Sequence, residues 1–289
     1  MITINASEIA ALVGKNPYKD PEEAIQDLLN RNVHKTPDTE TQRTLEICKD
    51  DKDAQRLHQE MVARARHTKS SEDAAKVKAE YHQKIEGVEK SRVSQIKKEH
   101  AQAVKNIDEE FDKKAREACT RGQKLQVQAE KADAIMEVES QIIKKTHEVQ
   151  SQMTHMKNVG TRKTNTSFGT RHEGDVGEMY HRETGLKIEK DNARKFWEFM
   201  PGFGIVGKFD GFNEDGTLVE IKNRMRRLFG TVPEYEKVQV HVYMAMSDKV
   251  QAQLVERYKD QIMIHAVDYD DDFMEEVLGE LRDICKSYF

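Results

Sequence analysis

Between Pro37 and Pro201 the chain contains no proline, and from Thr39 to Asn158 its only glycines are Gly87 and Gly122. Proline stops a helix by removing a backbone donor and clashing with the preceding turn, and glycine weakens one through backbone entropy. A stretch this long, made mostly of Lys, Glu, Gln and Ala, has no local reason to leave the helical state and predicts long helices.

Within it Val93, Ile96, His100, Val104, Ile107, Phe111, Ala115 and Ala118 recur at steps of three and four. This eleven-residue pattern has nearly the period of a straight helix and predicts little supercoil or a slight right-handed one. Cys119 to Gly122 marks the expected bend. Leu125, Ala129, Ala132, Met136 and Ile143, continued by Val149, Met153 and Met156, then supply the row that runs back as an antiparallel hairpin. Ser70 and Ser71 before Glu72 and Asp73 predict the cap of the long helix. The seam is poor in leucine, a weak core unless another chain or the globular part covers it. A spacer or oligomerisation arm fits this pattern. A DNA or partner contact through Lys97-Lys98 or Lys113-Lys114 is opposed by the acidic residues around them.

The chain of 289 residues, 37% hydrophobic, is long enough for one or two domains with a real core, while 34% charged residues mean that much of it is solvated. A net charge of −5 and a pI of about 6.2 exclude a global basic field, so any nucleic-acid contact has to use a local patch. Three scattered cysteines, Cys48, Cys119 and Cys285, form neither a metal spacing nor an even disulfide set, which favours a reducing compartment. With no membrane-length apolar run and no signal-peptide pattern, the expected location is intracellular, not secreted and not in a membrane.

Residues 1–35 predict a short strand, a helix capped by Ser7 and stopped by Gly14, an Asn16-Pro17-Tyr18 turn, and a second helix capped by Asp20 with Pro21 at its first position. After the helical region, Gly160 to Ser167 reads as a polar linker. A helix opening near Thr170 and ending at Gly185 follows, with Met179 and Tyr180 facing the core and Glu173 near its start. Strands are expected at Leu186 to Ile188 and Phe196 to Phe199.

Gly204 to Lys222 predicts a hairpin of Ile205, Val206 and Phe209 against Leu218, Val219 and Ile221, turning at Asn213, Asp215 and Gly216. Alternation sends Val219 and Ile221 to one face and Glu220 and Lys222 to the other, and Asp210 closes the preceding strand. Two carboxylates and an amine in one cleft suit Mg²⁺ or Mn²⁺. Glu173 offers a third carboxylate, and Lys222, its pKa lowered by a metal and by partial burial, could orient or deprotonate a water. A solvated strand face carrying a Glu/Lys pair would show the same letters.

Asn223 to Arg227 is the dense basic run beside these residues, suited to phosphate through Arg224, Arg226 and Arg227. A helix from Glu234 to Met246 puts Gln239 and Tyr243 on one face. Strands at Gln251 to Tyr258 and Met263 to Val267 and a helix from Asp270 to Phe289 complete an α/β fold, a mixed sheet flanked by helices.

The ordered set Ser7-Glu8-Ile9-Ala10, Gly14, Asn16-Pro17-Tyr18, Gly169, Glu173, Glu183-Thr184-Gly185, Asp210-Gly211, Glu220-Ile221-Lys222, Gln239 and Tyr243 resembles the lambda-exonuclease or YqaJ-type viral recombinase family of the PD-(D/E)xK nuclease superfamily. The resemblance covers about residues 1–30 and 165–289. It implies a PD-(D/E)xK restriction-endonuclease-like core carrying a long inserted α-helical hairpin. Residues 1–35 and 161–289 would form the nuclease domain, and 36–160 the insertion.

The same resemblance implies a Mg²⁺- or Mn²⁺-dependent exonuclease acting 5′ to 3′ on linear duplex DNA in viral or phage recombination, inside an infected cell. Glu173, Asp210, Glu220 and the Ile221 carbonyl would bind the ions, Lys222 would act on the water, and Gln239 and Tyr243 would support them. Ser7 would lie near the terminal 5′ phosphate. Implied partners are DNA, a single-strand annealing protein and further copies of the chain. The family commonly carries a basic residue a few positions before that serine; here Lys15, Lys19 or Arg224 would take its place. Relatives also usually lack the insertion. An endonuclease of the same fold, and a coiled-coil scaffold whose nuclease-like domain only binds DNA, are the alternatives.

Overall fold

A computed structural model describes residues 1–171, 173–191 and 193–289, without the side chains of residues 170, 171, 173 and 174. The chain forms two compact units: residues 1–43, 68–74 and 165–289 in one, residues 44–67 and 75–164 in the other.

The first unit opens with β1 (Ile2–Asn5), a 3-10 turn (Ala6–Glu8) and the short helix α1 (Ile9–Leu12). Ser7 lies exposed inside the 3-10 turn and caps nothing; Asn5 takes the extended N-cap position, and its amide donates to Glu8 Oε1 at 2.9 Å. The helix α2 (Pro21–Leu29) starts as its sequence dictates: Asp20 Oδ1 accepts from the Glu22 and Glu23 amides at 2.9 and 3.2 Å, with Pro21 at the first position.

Helices α3 (Thr39–Asp50), α4 (Lys52–Ala65), α5 (Ser71–Glu117) and α6 (Arg121–Arg171) follow. α6 runs through the expected linker at Gly160 to Ser167. The segment lacks proline, so its polar composition alone does not stop a helix. Ser70 Oγ accepts from the Asp73 amide at 3.1 Å, which caps α5.

The second unit packs Ile47, Cys48, Leu57, Met61, Tyr81, Ile85, Val149, Met153 and Met156 into one core. The cover that the thin seam requires is thus supplied by α4 and the second half of α3. Asp51 separates these two helices by accepting from the Asp53 and Ala54 amides at 2.9 and 3.0 Å. Gly160 of α6 lies directly against Tyr81 of α5, since a Cβ there would sit 2.3 Å from the Tyr81 ring. Farther out, the α5 row from Val93 to Ala118 is the shielded face as expected, but the α6 register is not: Leu125, Met136 and Ile143 are 58, 64 and 70% exposed. The residues turned inward are Val127, Ala134, Ile135, Val138 and Ile142. Both rows have helical spacing, and spacing alone does not say which one meets α5.

The first unit resumes with α7 (Glu173–Thr184) and the strands β2 (Ile188–Glu189), β3 (Arg194–Met200), β4 (Phe203–Lys208), β5 (Gly211–Asn213) and β6 (Leu218–Asn223). The helix α8 (Glu234–Ser247), β7 (Gln251–Tyr258), β8 (Gln261–Asp268) and α9 (Asp271–Tyr288) complete it. Two mixed sheets result, ordered β1-β4-β3 and β2-β5-β6-β7-β8.

The expected hairpin partner of β6 is corrected here. β4 pairs in parallel with β1 and antiparallel with β3, placing Ile205 between Ile4 and Trp197, and it is β5 that pairs with β6. The chain changes sheet at Phe209 and Asp210. Asn213 Oδ1 closes the β5–β6 turn by accepting from Asp215 and Thr217.

The second sheet is covered on both faces. Val219, Ile221 and Val255 meet Val176 and Tyr180 of α7. On the other face Leu218 and Leu254 join the main core, which includes Val238, Val242 and Met244 of α8. Glu220 and Lys222 alternate onto the α8 side.

Candidate active site

β6 and β7 are parallel, and α8 is the crossover between them. This unit is what gathers the site: β6 delivers Glu220 and Lys222, α8 delivers Gln239 and Tyr243 one turn apart, and the step between the sheets delivers Asp210. Asp210 Oδ2 accepts from the Ile221 amide at 2.7 Å, which fixes the corner against the middle of β6. Lys222 Nζ donates to Glu220 Oε1 at 2.7 Å and to Gln239 Oε1 at 3.0 Å. The Gln239 amide donates in turn to Glu220 Oε1 at 3.1 Å and to the Tyr243 hydroxyl at 3.0 Å.

Gly207 makes room for this arrangement: a Cβ there would lie 2.6 Å from the Tyr243 ring and 3.4 Å from Ala6 Cβ. The turn that carries Ser7 is therefore packed beside Tyr243.

Glu220 is 4% exposed. Burial, opposed by the Lys222 ammonium but reinforced by the charge and hydrogen bond of Asp210, pushes its carboxyl up to about 8. Burial pulls Lys222 down, yet Glu220, Glu236 and Asp210 outweigh it and hold the ammonium above its ordinary value. In the metal-free protein the direction is thus upward, because carboxylates surround the amine. Burial and the charge of Glu220 push Tyr243 up to about 12.

Asp210 and Glu220 stand close enough for the charge of one to raise the other, with Lys222 as the only cation paired to Glu220 among the described residues, and their oxygen donors are the kind hard divalent ions take. Among the described residues no group of three His, Cys, Asp or Glu side chains is gathered. The expected third carboxylate, Glu173, begins α7, and its side chain lies outside the described residues. Glu178 is exposed.

The basic residues divide into tied and open ones. Arg224 is bidentate to Glu236, with two contacts of 2.6 Å, and also pairs with Glu256. Lys15 pairs with Glu276 at 2.6 Å and Glu234 at 3.3 Å. Arg226 and Arg227 are exposed.

Sequence reasoning missed Glu236 and Glu256. Glu256 is fully buried and also accepts from the Phe229 and Gly230 amides at 2.9 and 3.3 Å, so it anchors the loop after β6. The available signal was its register: it stands opposite Lys222 in a strand that is otherwise apolar at Leu254 and Val255.

No family model matches the sequence, and no curated relative matches it. Solved structures that it resembles in part include an alkaline exonuclease from Laribacter hongkongensis, 22% identical, with a TM-score of 0.34 over 43% of this chain and 70% of that one. The same enzyme in complex with dAMP gives 19%, 0.36, 50% and 79% in that order. A phage related exonuclease from Haemophilus somnus gives 16%, 0.35, 43% and 70%. No helix among the described residues is long and apolar enough to cross a membrane.

Proposed function

We propose that this chain is a divalent-metal-dependent deoxyribonuclease of the lambda-exonuclease type, built on a PD-(D/E)xK core, that shortens linear duplex DNA from its 5′ ends during viral or phage recombination. The observation that carries this reading is the closed set Asp210, Glu220, Lys222 and Gln239, in which one carboxylate oxygen accepts from both an ammonium and an amide.

Asp210, Glu220 and the Ile221 carbonyl, with Glu173, would hold Mg²⁺ or Mn²⁺, which when bound supplies a Lewis acid for the phosphodiester oxygens. Lys222, paired with Glu220, would orient the attacking water through its N–H donors and stabilise charge developing on the phosphoryl group. Gln239 fixes the Lys222 and Glu220 side chains relative to one another, and Tyr243 fixes Gln239. Arg226 and Arg227 offer phosphate contacts, and the exposed Ser7 would lie near the terminal 5′ phosphate.

The exposed row Leu125, Met136 and Ile143 on α6 supports a second role for the helical unit, contact with an annealing protein or a further copy of the chain. The test of the enzyme is digestion of linear and of closed circular duplex in Mg²⁺ by the wild type and by Lys222→Ala. Loss of the linear substrate alone, abolished in the variant, is the expected result; equal digestion by both proteins removes the proposal, and nicking of the circle makes it an endonuclease.

A further inference from the structure

At the N-terminal end of α8 lies a cavity of about 510 Å³ bounded by Gly14 to Tyr18, the loop at Arg227 to Thr231, and Pro233 to Tyr235. Three aromatic rings face it. Tyr18 is 76% exposed and meets Tyr235 edge to face with ring centroids 5.7 Å apart. Phe229, 40% exposed, carries the Arg224 guanidinium 3.9 Å from its ring centre. Tyr235 is partly buried against the main core and Phe229 is covered on one face by Arg224, whereas Tyr18 keeps most of its ring in water, so the cavity presents an aromatic edge held on a firm base.

The position is as informative as the composition. Tyr235 precedes Gln239 by four residues, so the two share a face of α8 about 6 Å apart along the axis. The cavity is thus one helical turn from the amide that holds Lys222. Its opposite wall is the loop that leaves β6 after Lys222, tied down through Arg224, Glu236 and Glu256. Arg227 supplies an exposed guanidinium at the rim, whereas Lys15 is already neutralised by Glu234 and Glu276. Rigid rings with a cation at the edge, beside a site that would cleave phosphodiesters, match an unpaired nucleotide: the base stacks and the backbone phosphate meets the arginine.

We infer that Tyr18, Phe229 and Tyr235 form a stacking site for an unpaired DNA base next to the candidate active site, with Arg227 on its phosphate. This rests on the nuclease reading for the identity of the strand, but not for the binding itself. The site would hold the single strand that a duplex end must release for its neighbour to reach Lys222.

The experiment uses the full chain, without divalent metal, and fluorescence anisotropy with a labelled oligo(dT). Tyr18→Ala and Phe229→Ala should each weaken binding on the order of ten-fold or more, the range for loss of one base–aromatic stack. Tyr18→Trp should keep affinity, and its indole emission should be quenched when oligo(dT) binds. Affinity unchanged in both alanine variants, or a Tyr18→Trp protein whose emission is insensitive to oligo(dT), overturns the stacking site. Tyr18 is so exposed that its truncation leaves the core intact, so a loss of affinity there is not a loss of fold. Ring-dependent oligo(dT) binding by a protein that fails to cut DNA would refute the nuclease and leave the stacking site standing; cleavage abolished by Lys222→Ala with ring-independent binding would do the reverse.

Discussion

Lys222 and Gln239, seventeen residues apart in sequence, meet across the β6–α8 crossover with Nζ 3.0 Å from Oε1, and both donate to the same oxygen of Glu220. Through this contact the helix sets the direction of the ammonium. Gln239→Ala should leave the secondary structure intact and lower nuclease activity about 10- to 100-fold, the usual cost of an outer hydrogen-bonding partner. Circular dichroism together with initial rates on linear duplex checks this; an unchanged rate would make Gln239 a bystander.

Glu220 makes the metal-free protein sensitive to pH. Its folded pKa of about 8 lies above its unfolded value, so the stabilisation from the protonated carboxyl is fully present below the unfolded pKa and is lost as pH rises through 8. Relative to Glu220→Gln, the wild type should lose denaturant stability between pH 5 and pH 9. A difference between the two proteins that stays constant over this window contradicts the account.

Arg224 is the cation between two buried acids, Glu236 at 3% and Glu256 at 0% exposure. Replacing it by methionine keeps the stem and strands both charges, so urea unfolding should show a loss of about 3–5 kcal/mol. Arg224→Lys should recover little of this, because an ammonium cannot reproduce the planar fork. Full recovery by lysine would mean that the bidentate geometry is immaterial.

In the helical unit the Tyr81 ring occupies the space that a side chain at residue 160 would need. Gly160→Ala should destabilise by about 1–3 kcal/mol through overpacking. Tyr81→Phe should be nearly neutral or stabilising, since the buried Tyr81 hydroxyl has no hydrogen-bond partner among the described residues. Thermal melts of the two variants check both statements.

Much of the globular part was legible because its signals are local. Asp20 and Pro21 start α2, proline-free Lys/Glu/Ala-rich sequence makes long helices, and the alternation at Val219 to Lys222 assigns faces without knowledge of neighbours. What could not be read depended on partners distant in the chain. β4 has the apolar pattern of a hairpin strand, but whether it pairs with β6 or with β1 and β3 is decided by Ile4 and Trp197. α6 carries two apolar rows of equal spacing, and only the position of α5 decides that Leu125, Met136 and Ile143 face outward. Gly160 opens the stretch whose polar composition reads as a linker, but its role inside α6 is set by a ring 79 residues earlier in the chain. At the candidate site the residue types were readable, but the sign of the Lys222 shift was not, because it comes from Glu236 and Asp210 as well as from Glu220.

Calorimetric titration of the 289-residue chain with Mn²⁺, compared with Asp210→Ala, tests most directly whether Asp210 and Glu220 form one ion site. The wild type should show a stoichiometric binding event, with proton release as Glu220 ionises and an affinity that rises from pH 6.5 to 8.5, and the variant should lose it. No binding by the wild type, or the same isotherm from both proteins, would contradict the account.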